Sequence, residues 1–175
     1  ICMPAERQFI PLQIALLTVS DSRTENNDTS GQLLLERVVA GGHHLHAQRI
    51  VPDDIYRIRE ALSIWIADPA CSVVITTGGT GITGRDGTPE AAVVLFDKTI
   101  EGFGEMFRAL SYAQIKTSTL QSRALAGVAN GTYLFCLPGS PNACATAWDT
   151  LVSAQLDYRT RPCNLVELMP RLLER

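Results

Sequence analysis

The chain has 175 residues, so a single domain is expected. Hydrophobic residues make up 46% and charged residues 19%, which provides for a sizeable core and excludes a disordered chain. The formal net charge is -3 and the sequence contains no block of lysine or arginine, so nucleic acid is not expected as a partner.

Strand-like apolar runs alternate with helical patterns after an N-terminal extension over residues 1–10. Strands are predicted at 12–19, 44–51, 73–77 and 133–137. Helices are predicted at 32–40, 53–68, 89–96, 104–113, 142–156 and 165–173, the third with Thr88 as its N-cap and Pro89 at its first position. This alternation predicts a single α/β domain over residues 11–175, with a mainly parallel sheet covered on both faces.

Three loops leave the carboxyl ends of predicted strands, over residues 20–31, 78–88 and 138–141. Ligands of open parallel sheets bind outside these strand ends. The loops also hold most of the unusual chemistry of the chain. The ligand site is therefore predicted at this edge of the sheet.

The middle loop contains "GTGITG" at residues 79–84, which fits the G-x-G-x-x-G pattern of dinucleotide-binding folds. In those folds the helix begins inside the pattern, whereas here it is predicted to begin at Pro89. The segment after residue 96 is predicted helical, so no strand delivers the acid that holds a ribose. A Walker A loop is excluded because no G-K-[ST] follows. The oxidoreductase interpretation is therefore disfavoured.

The same loop still suits an anion. Its glycines let backbone N–H groups approach a ligand, its threonines add hydroxyls, and Arg85 offers a planar fork for phosphate. Asp86 would repel phosphate unless a divalent cation lies between them. The structural alternative is a tight turn in which Arg85 pairs with Asp86. The loop residues concerned are Thr76, Thr77, Gly78, Gly79, Thr80 and Gly81. Gly79→Val is predicted to remove ligand binding and leave the fold intact.

Six ordered motifs carry a resemblance to a known family. "TTGGTG" and "RDGTPEA" resemble the signature of the molybdopterin-binding MoaB/MogA family, most like its short bacterial MoaB type. "LTVSDSR", "DTSG", "VPDD", "LQSRALAGV" and "LPGSPNA" are similar to further motifs of the family, in the same order along the chain.

The resemblance implies a three-layer α/β/α fold assembled as a homotrimer or homohexamer. It implies a role in molybdenum cofactor biosynthesis alongside other proteins of that pathway, and the scattered cysteines of the chain predict a reducing, cytoplasmic location. The reaction implied is adenylylation of molybdopterin with Mg²⁺ and ATP, which releases pyrophosphate. Because MoaB-type members do not all share this activity, the alternative is a protein that binds molybdopterin or a purine nucleotide without transferring adenylate.

The resemblance also implies the site residues. Asp53 and Asp86 would act in catalysis as Mg²⁺ ligands and positioning groups, although Asp53 beside Pro52 also suits an N-cap. Asp28 and Ser30 also suit a helix cap. The residues implied to bind substrate or nucleotide are Ser20, Asp21, Ser22, Arg23, Ser30, Gly31, Thr77, Gly78, Gly79, Thr80, Gly81, Arg85, Glu90, Ser122, Arg123, Pro138, Gly139 and Ser140.

The remaining conspicuous side chains are predicted to be structural. The cysteines are odd in number and lack C-x-x-C spacing, which predicts free thiols and no zinc site: Cys2, Cys71, Cys136, Cys144 and Cys163. The histidines lack companion ligands and are expected at the surface: His43, His44 and His46. Trp65 and Trp148 are expected in the core.

Overall fold

A computed structural model describes residues 6–174. Within this range the strands form a six-stranded sheet in the order β2-β1-β3-β6-β5-β4. β1, β2, β3 and β6 are mutually parallel, and β5 is antiparallel to both of its neighbours. The strands are β1 (Gln13–Val19), β2 (His44–Val51), β3 (Val73–Thr77), β4 (Lys98–Thr99), β5 (Leu125–Ala129) and β6 (Thr132–Leu137).

Helices cover both faces of the sheet. They are α1 (Thr29–Ala40), α2 (Ile55–Ala67), α3 (Thr88–Val93), α4 (Glu101–Ile115), α5 (Pro141–Ala147), α6 (Ser153–Gln155) and α7 (Leu165–Leu168). A 3₁₀ turn, Lys116–Gln121, follows α4, and a π-helical segment, Trp148–Val152, joins α5 to α6. The core on one face includes residues of α1, α4 and α7, and the core on the other includes residues of α2 and α3. The predicted three-layer α/β/α fold is confirmed.

The burial of β1 on both faces explains its continuous apolar run. Ile14 and Leu16 belong to one core, whereas Ala15 and Leu17 belong to the other. Successive side chains of a strand point to opposite faces, so a strand between two helical layers needs apolar residues at every position. The predictions for β1, β2, β3 and β6 are confirmed to within one residue.

Two strands were missed by the sequence analysis. The prediction that the segment after residue 96 is helical is wrong at its start, because β4 lies there, and β5 was not predicted at all. β5, "LAGVA", is short and made of small residues, so its apolar pattern is weak. Its signal was the turn after it: Asn130 and Gly131 have φ of 47° and 82°, as a two-residue hairpin to β6 requires.

Several helix boundaries differ from the prediction. Thr88 is not a cap: it is the first residue of α3, after Gly87, and its hydroxyl donates to the Gly78 carbonyl oxygen. α3 ends at Val93, and α7 ends at Leu168 before a short 3₁₀ turn, so both are shorter than predicted. α1 and α4 are longer, because each begins three residues before its predicted start.

His43 is only 5% exposed, so its predicted surface position is wrong. Its Nδ1 accepts a hydrogen bond of 3.1 Å from the Leu12 N–H, and its ring lies 5.0 Å from that of Phe9 and 6.1 Å from that of Trp148.

Trp148 and Trp65 are each 4% exposed, as predicted. Cys71, Cys136, Cys144 and Cys163 are free, as predicted, and Cys2 lies outside the described residues.

We expect the stability of the protein to fall as the pH drops below about 6.5, where an unfolded histidine takes up a proton. Burial lowers the pKa of His43, with Asp157 opposing and His44 assisting the shift. The unfolded chain therefore binds a proton in a range where the folded chain does not, so acid favours unfolding. Protonation would also place a hydrogen on Nδ1, against the Leu12 N–H.

Melting temperatures from pH 8 to pH 5 test this expectation. His43→Asn keeps an acceptor near Nδ1 without a titrating group and should have a shallower acid decline, whatever its melting temperature at pH 8. His44→Asn, at an exposed position, is the matched control and should change the slope much less than His43→Asn does. Equal slopes for wild type and His43→Asn would contradict the assignment of the acid decline in stability to His43.

The described part of residues 1–10 packs on the domain: the Arg7 guanidinium pairs with Glu167 and Phe9 contacts His43. The domain boundary between residues 10 and 11 stays a prediction.

No helix in residues 6–174 combines the length and apolar character needed to cross a membrane.

Candidate functional site

Two consecutive glycines turn the chain where β3 ends. Gly78 and Gly79 have φ of 101° and 66°, in the left-handed region that favours glycine. A Cβ on Gly78 would lie 2.2 Å from the Val19 carbonyl oxygen. The Gly78 N–H donates to the Leu137 carbonyl oxygen at 3.0 Å, which ties the exits of β3 and β6 together. The predicted loops therefore meet at one edge of the sheet.

A cavity of about 400 Å³, here called the glycine-loop cavity, lies at this edge. It gathers nine predicted site residues: Gly78, Gly79, Thr80, Gly81, Asp86, Ser122, Pro138, Gly139 and Ser140. Its other wall was not predicted and comes mainly from α4, the 3₁₀ turn and α5: Phe107, Ser111, Ile115, Ser118, Gln121 and Ala143. The one sequence signal for this wall is a pair of serines: Ser111, which is buried on the apolar stripe of α4, and Ser118, which is exposed on the 3₁₀ turn.

A second cavity of about 370 Å³, here called the Ile55 cavity, lies on the other side of the loop. Of the predicted site residues it contains Asp86, Glu90 and Arg123. The residues not predicted are Ile55, Ile82, Thr83, Gly84 and Gly87. Asp86 borders both cavities, so two ligands bound in them would meet at this carboxylate.

Asp86 is held within its own loop. Its Oδ2 accepts hydrogen bonds from the Thr83 N–H at 2.8 Å and the Thr83 hydroxyl at 2.6 Å. The Thr83 hydroxyl lowers the pKa of Asp86 most, and backbone N–H groups and Arg123 lower it further, against the effect of burial. Asp86 is therefore ionised at neutral pH.

Asp53 and Asp54 have separate roles. Asp54 is the N-cap of α2, because its Oδ1 accepts from the Tyr56 and Arg57 N–H groups. The alternative that Asp53 is the cap is therefore wrong. Asp53 Oδ1 instead accepts from the Gly87 N–H at 3.0 Å, next to Asp86. Burial raises the pKa of Asp53, and repulsion from Asp86 and Asp21 adds to the rise.

Arg85 pairs with Asp21, so the alternative in which it pairs with Asp86 is wrong. Its Nη2 and Nε lie 2.6 and 3.1 Å from Asp21 Oδ2. This contact lowers the pKa of Asp21, whose other oxygen accepts from the Asp53 N–H at 3.1 Å. The Arg85 side chain is 67% exposed. The pair joins the first loop to the glycine loop.

The first loop lines neither cavity. The Ser20 hydroxyl accepts from the N–H groups of Ser22 and Arg23 at 3.2 Å, and the Arg23 guanidinium donates to the Asn27 carbonyl oxygen at 2.7 Å. Ser20, Ser22 and Arg23 thus stabilise the loop itself. Their predicted binding role stays a prediction.

The start of α1 is capped by a side chain of the protein. Asp28 is the N-cap, and its Oδ1 accepts from the Gly31 N–H at 2.9 Å. A Cβ on Gly31 would lie 2.1 Å from Asp28 Oδ2, so only glycine fits beside the capping carboxylate. The Ser30 hydroxyl donates to the Gly139 carbonyl oxygen at 2.7 Å. The predicted binding role of Ser30 and Gly31 stays a prediction.

The exit of β6 is fixed by hydrogen bonds of two predicted site residues. The Thr77 hydroxyl, in a side chain 2% exposed, donates to the Pro138 carbonyl oxygen at 2.9 Å. Ser140 is the N-cap of α5, since its hydroxyl accepts from the Ala143 N–H at 3.1 Å. Thr77 therefore shapes the glycine-loop cavity from beneath, whereas Ser140 lines it.

Asp53 and Asp86 are the candidate Mg²⁺ ligands of the site. The hydrogen bonds of Asp86 use Oδ2 and that of Asp53 uses Oδ1, which leaves one oxygen of each for a metal. Among the described residues no group of three or more metal-binding side chains gathers. Mg²⁺ needs no such group, since it commonly takes one or two carboxylates, substrate phosphates and water.

The fold and the site define a class: an α/β protein with a glycine-walled cavity at the carboxyl edge of its sheet and two carboxylates, Asp53 and Asp86, beside it. The chain belongs to the family described as the probable molybdopterin binding domain, whose model matches residues 15–158. It is 54% identical over 157 residues to molybdenum cofactor biosynthesis protein B of Escherichia coli (strain K12), which covers 90% of this chain and 92% of that protein.

Solved structures agree with this assignment. A crystal structure of molybdenum cofactor biosynthesis protein B has a TM-score of 0.86 and 36% identity, and the match covers 97% of this chain and 100% of that one. The tungsten cofactor synthesizing protein MoaB from Pyrococcus furiosus has a TM-score of 0.73 and 40% identity, over 82% of this chain and 91% of that one. The predicted resemblance is confirmed.

Proposed function

We propose that this protein acts in molybdenum cofactor biosynthesis, where it binds molybdopterin and adenylylates it with Mg-ATP, releasing pyrophosphate. The family match and the names of the relatives support the pathway and the pterin ligand. Asp86 supports transfer, because this carboxylate borders two cavities, one for each substrate of the proposed reaction. A protein that holds one ligand has no need of a shared carboxylate between two compartments.

The proposed reaction needs little proton chemistry. An oxygen of the molybdopterin phosphate attacks the α-phosphorus of ATP and forms a new P–O bond. The bond from the α-phosphorus to the oxygen bridging to the β-phosphorus breaks, and pyrophosphate leaves with that electron pair. A phosphate monoester has a second pKa of about 6, so the nucleophile is already largely deprotonated at pH 7. Alignment and charge neutralisation are then the main tasks of the protein.

In this proposal the two cavities hold different substrates. The glycine-loop cavity takes molybdopterin, whose phosphate would lie against the backbone of Gly78, Gly79 and Gly81. The Ile55 cavity takes the nucleotide, because Ile55 and Ile82 offer apolar surface to a purine base. Asp53 and Asp86 would hold Mg²⁺, which neutralises charge on the phosphates when bound. Asp86 then lies where the reacting phosphates meet.

One observation favours the alternative, a protein that binds molybdopterin or a purine nucleotide without transfer. Two arginines of the predicted site are already paired with carboxylates. Arg85 pairs with Asp21, and Arg123 pairs with Glu90. A triphosphate would therefore have to displace an internal carboxylate to replace either of these ion pairs.

Mixing purified protein with molybdopterin, Mg²⁺ and ATP separates the two functions. Formation of adenylylated pterin with an equal amount of pyrophosphate is the result expected for transfer. Binding of either ligand at equilibrium without product would support the alternative. Absence of pterin binding would contradict transfer, and absence of binding of both ligands would contradict both functions. A reaction without molybdopterin is the control for ATP hydrolysis.

We also propose a cytoplasmic homotrimer or homohexamer, following the family resemblance. Light scattering at micromolar concentration should then give three or six times the chain mass of 19.0 kDa. A monomer mass would contradict this assembly. Association with other proteins of the pathway is part of the same proposal.

A further inference from the structure

We propose that Arg123 is a positioning residue, which fixes the loop that carries Asp86 and does not bind substrate phosphate. The proposal rests on the proposed function, because it concerns the same reaction. The family resemblance implied that Arg123 binds a ligand, and this proposal gives Arg123 a different role. The hydrogen bonds of its guanidinium group are the reason.

Each of the three nitrogens of the Arg123 guanidinium group donates to an acceptor within the protein. Its Nε donates to the Gly81 carbonyl oxygen at 2.7 Å, and its Nη2 donates to the Asp86 carbonyl oxygen at 2.8 Å. Its Nη1 donates to the Glu90 carboxylate. The Arg123 backbone N–H also donates to the Thr80 carbonyl oxygen at 3.0 Å. We call this set of contacts the Arg123 clamp.

The clamp joins the two ends of an exposed turn. Residues 82–85 are exposed, and the clamp binds the carbonyl oxygens of residues 81 and 86 that flank them. A guanidinium group is planar and rigid, so three acceptors bound to it are fixed relative to one another. Asp86 is thereby held through its main chain by Arg123 and through its carboxylate by Thr83. The carboxylate cannot move between the cavities without breaking these contacts.

The charge of Arg123 is also balanced locally. Glu90 lies in the first turn of α3 and faces the guanidinium group, which lowers the pKa of Glu90. A neutralised ion pair attracts phosphate much less than a free cation does. The geometry and the charge therefore both favour a positioning role over phosphate binding.

Arg123→Ala is expected to lower kcat for pyrophosphate release by about 10²-fold, the cost of a displacement of about 1 Å at a reacting centre. The Mg²⁺ concentration for half-maximal rate should rise by about tenfold, as when a partner of a metal ligand is lost. The KM for molybdopterin and the KM for ATP at saturating Mg²⁺ should change by less than about twofold. If Arg123 binds phosphate instead, one of these KM values rises while kcat and the Mg²⁺ requirement stay near wild type.

Three comparisons separate the clamp from a purely structural contact. Arg123→Lys keeps the charge beside Glu90 but not the planar fork, so its kcat should be nearly as low as that of Arg123→Ala. Added guanidinium ion should partly restore kcat to Arg123→Ala. Arg37→Ala removes an arginine from an exposed ion pair with Asp149 and should keep wild-type kinetics. Wild-type kinetics in Arg123→Lys would overturn the clamp, and so would failure of guanidinium rescue.

Melting temperatures are measured for every variant, and Arg123→Lys replaces Arg123→Ala in the kinetic test if the alanine variant does not fold. If the wild-type protein releases no pyrophosphate, the proposed adenylyl transfer is contradicted. The Arg123 clamp is then tested by metal binding, with Mn²⁺ as a spectroscopic probe. Electron paramagnetic resonance in the presence of ATP should then show weaker Mn²⁺ binding in the variant at unchanged molybdopterin affinity. Equal Mn²⁺ affinity in the variant and the wild type would overturn the Arg123 clamp and would not bear on the proposed function.

Discussion

Asp86→Asn is expected to lower the rate of pyrophosphate release by about 10²-fold or more, as does loss of a group that acts mainly in the transition state. Asn keeps the shape of the side chain and can still accept from the Thr83 N–H and hydroxyl. It loses the charge that would hold Mg²⁺ between the two cavities. Molybdopterin affinity should be retained, because a repulsive carboxylate has gone and the glycine loop remains.

Melting temperature, pterin affinity and pyrophosphate release are measured on one preparation. Asp149→Asn is the matched control, since it removes the same charge from an exposed pair with Arg37, near the end of α1 remote from the site. It should keep the wild-type rate. Because Arg85 pairs with Asp21, loss of an Arg85–Asp86 pair does not explain a decline. Unchanged pyrophosphate release by folded Asp86→Asn would contradict the metal-ligand role and favour the binding protein.

Gly79→Val is expected to abolish molybdopterin binding and to destabilise the fold by about 2 kcal/mol or more. Its Cβ would lie 2.4 Å from the Thr88 hydroxyl and 2.8 Å from Asp53 Oδ2, at a φ of 66° that a β-branched residue rarely adopts. The sequence alone predicted the loss of binding with an intact fold. The structure adds a stability cost, because the Thr88 hydroxyl also supports the Gly78 carbonyl oxygen.

Gly84→Val is the matched control within the same G-x-G-x-x-G pattern. Nothing lies within 4 Å of a Cβ on Gly84, and its φ is not in the left-handed region. This variant should keep the stability and the pterin affinity of wild type. Denaturant unfolding and equilibrium pterin binding test both variants. Equal stability of the two variants would show that the turn at Gly79 relaxes at no cost, and tight pterin binding by Gly79→Val would show that this loop is not the pterin site.

The sequence located the site because its glycines and acids lie in loops that leave strong strands. Val73–Thr77 was predicted without error, so the loop after it had to emerge at the carboxyl edge of the sheet. The same reasoning placed Pro138, Gly139 and Ser140 opposite Gly78. It missed Phe107, Ser111 and Ile115 of α4. The sequence pattern of a helix shows which residues face the core, but it does not show that one end of that buried face lines a cavity.

The sequence by itself determined four of the six strands, the fold class and the family, since periodic burial, turn residues and ordered motifs are local signals. The tertiary structure alone decided the partners of the charged groups. Arg85 contacts Asp21, 64 positions away, and Arg123 reaches Glu90, 33 positions away. Asp53 and Asp54 are neighbours in the chain, yet one contacts Gly87 and the other caps α2. Such choices depend on where distant loops lie and on which way each side chain points, which a local pattern does not contain.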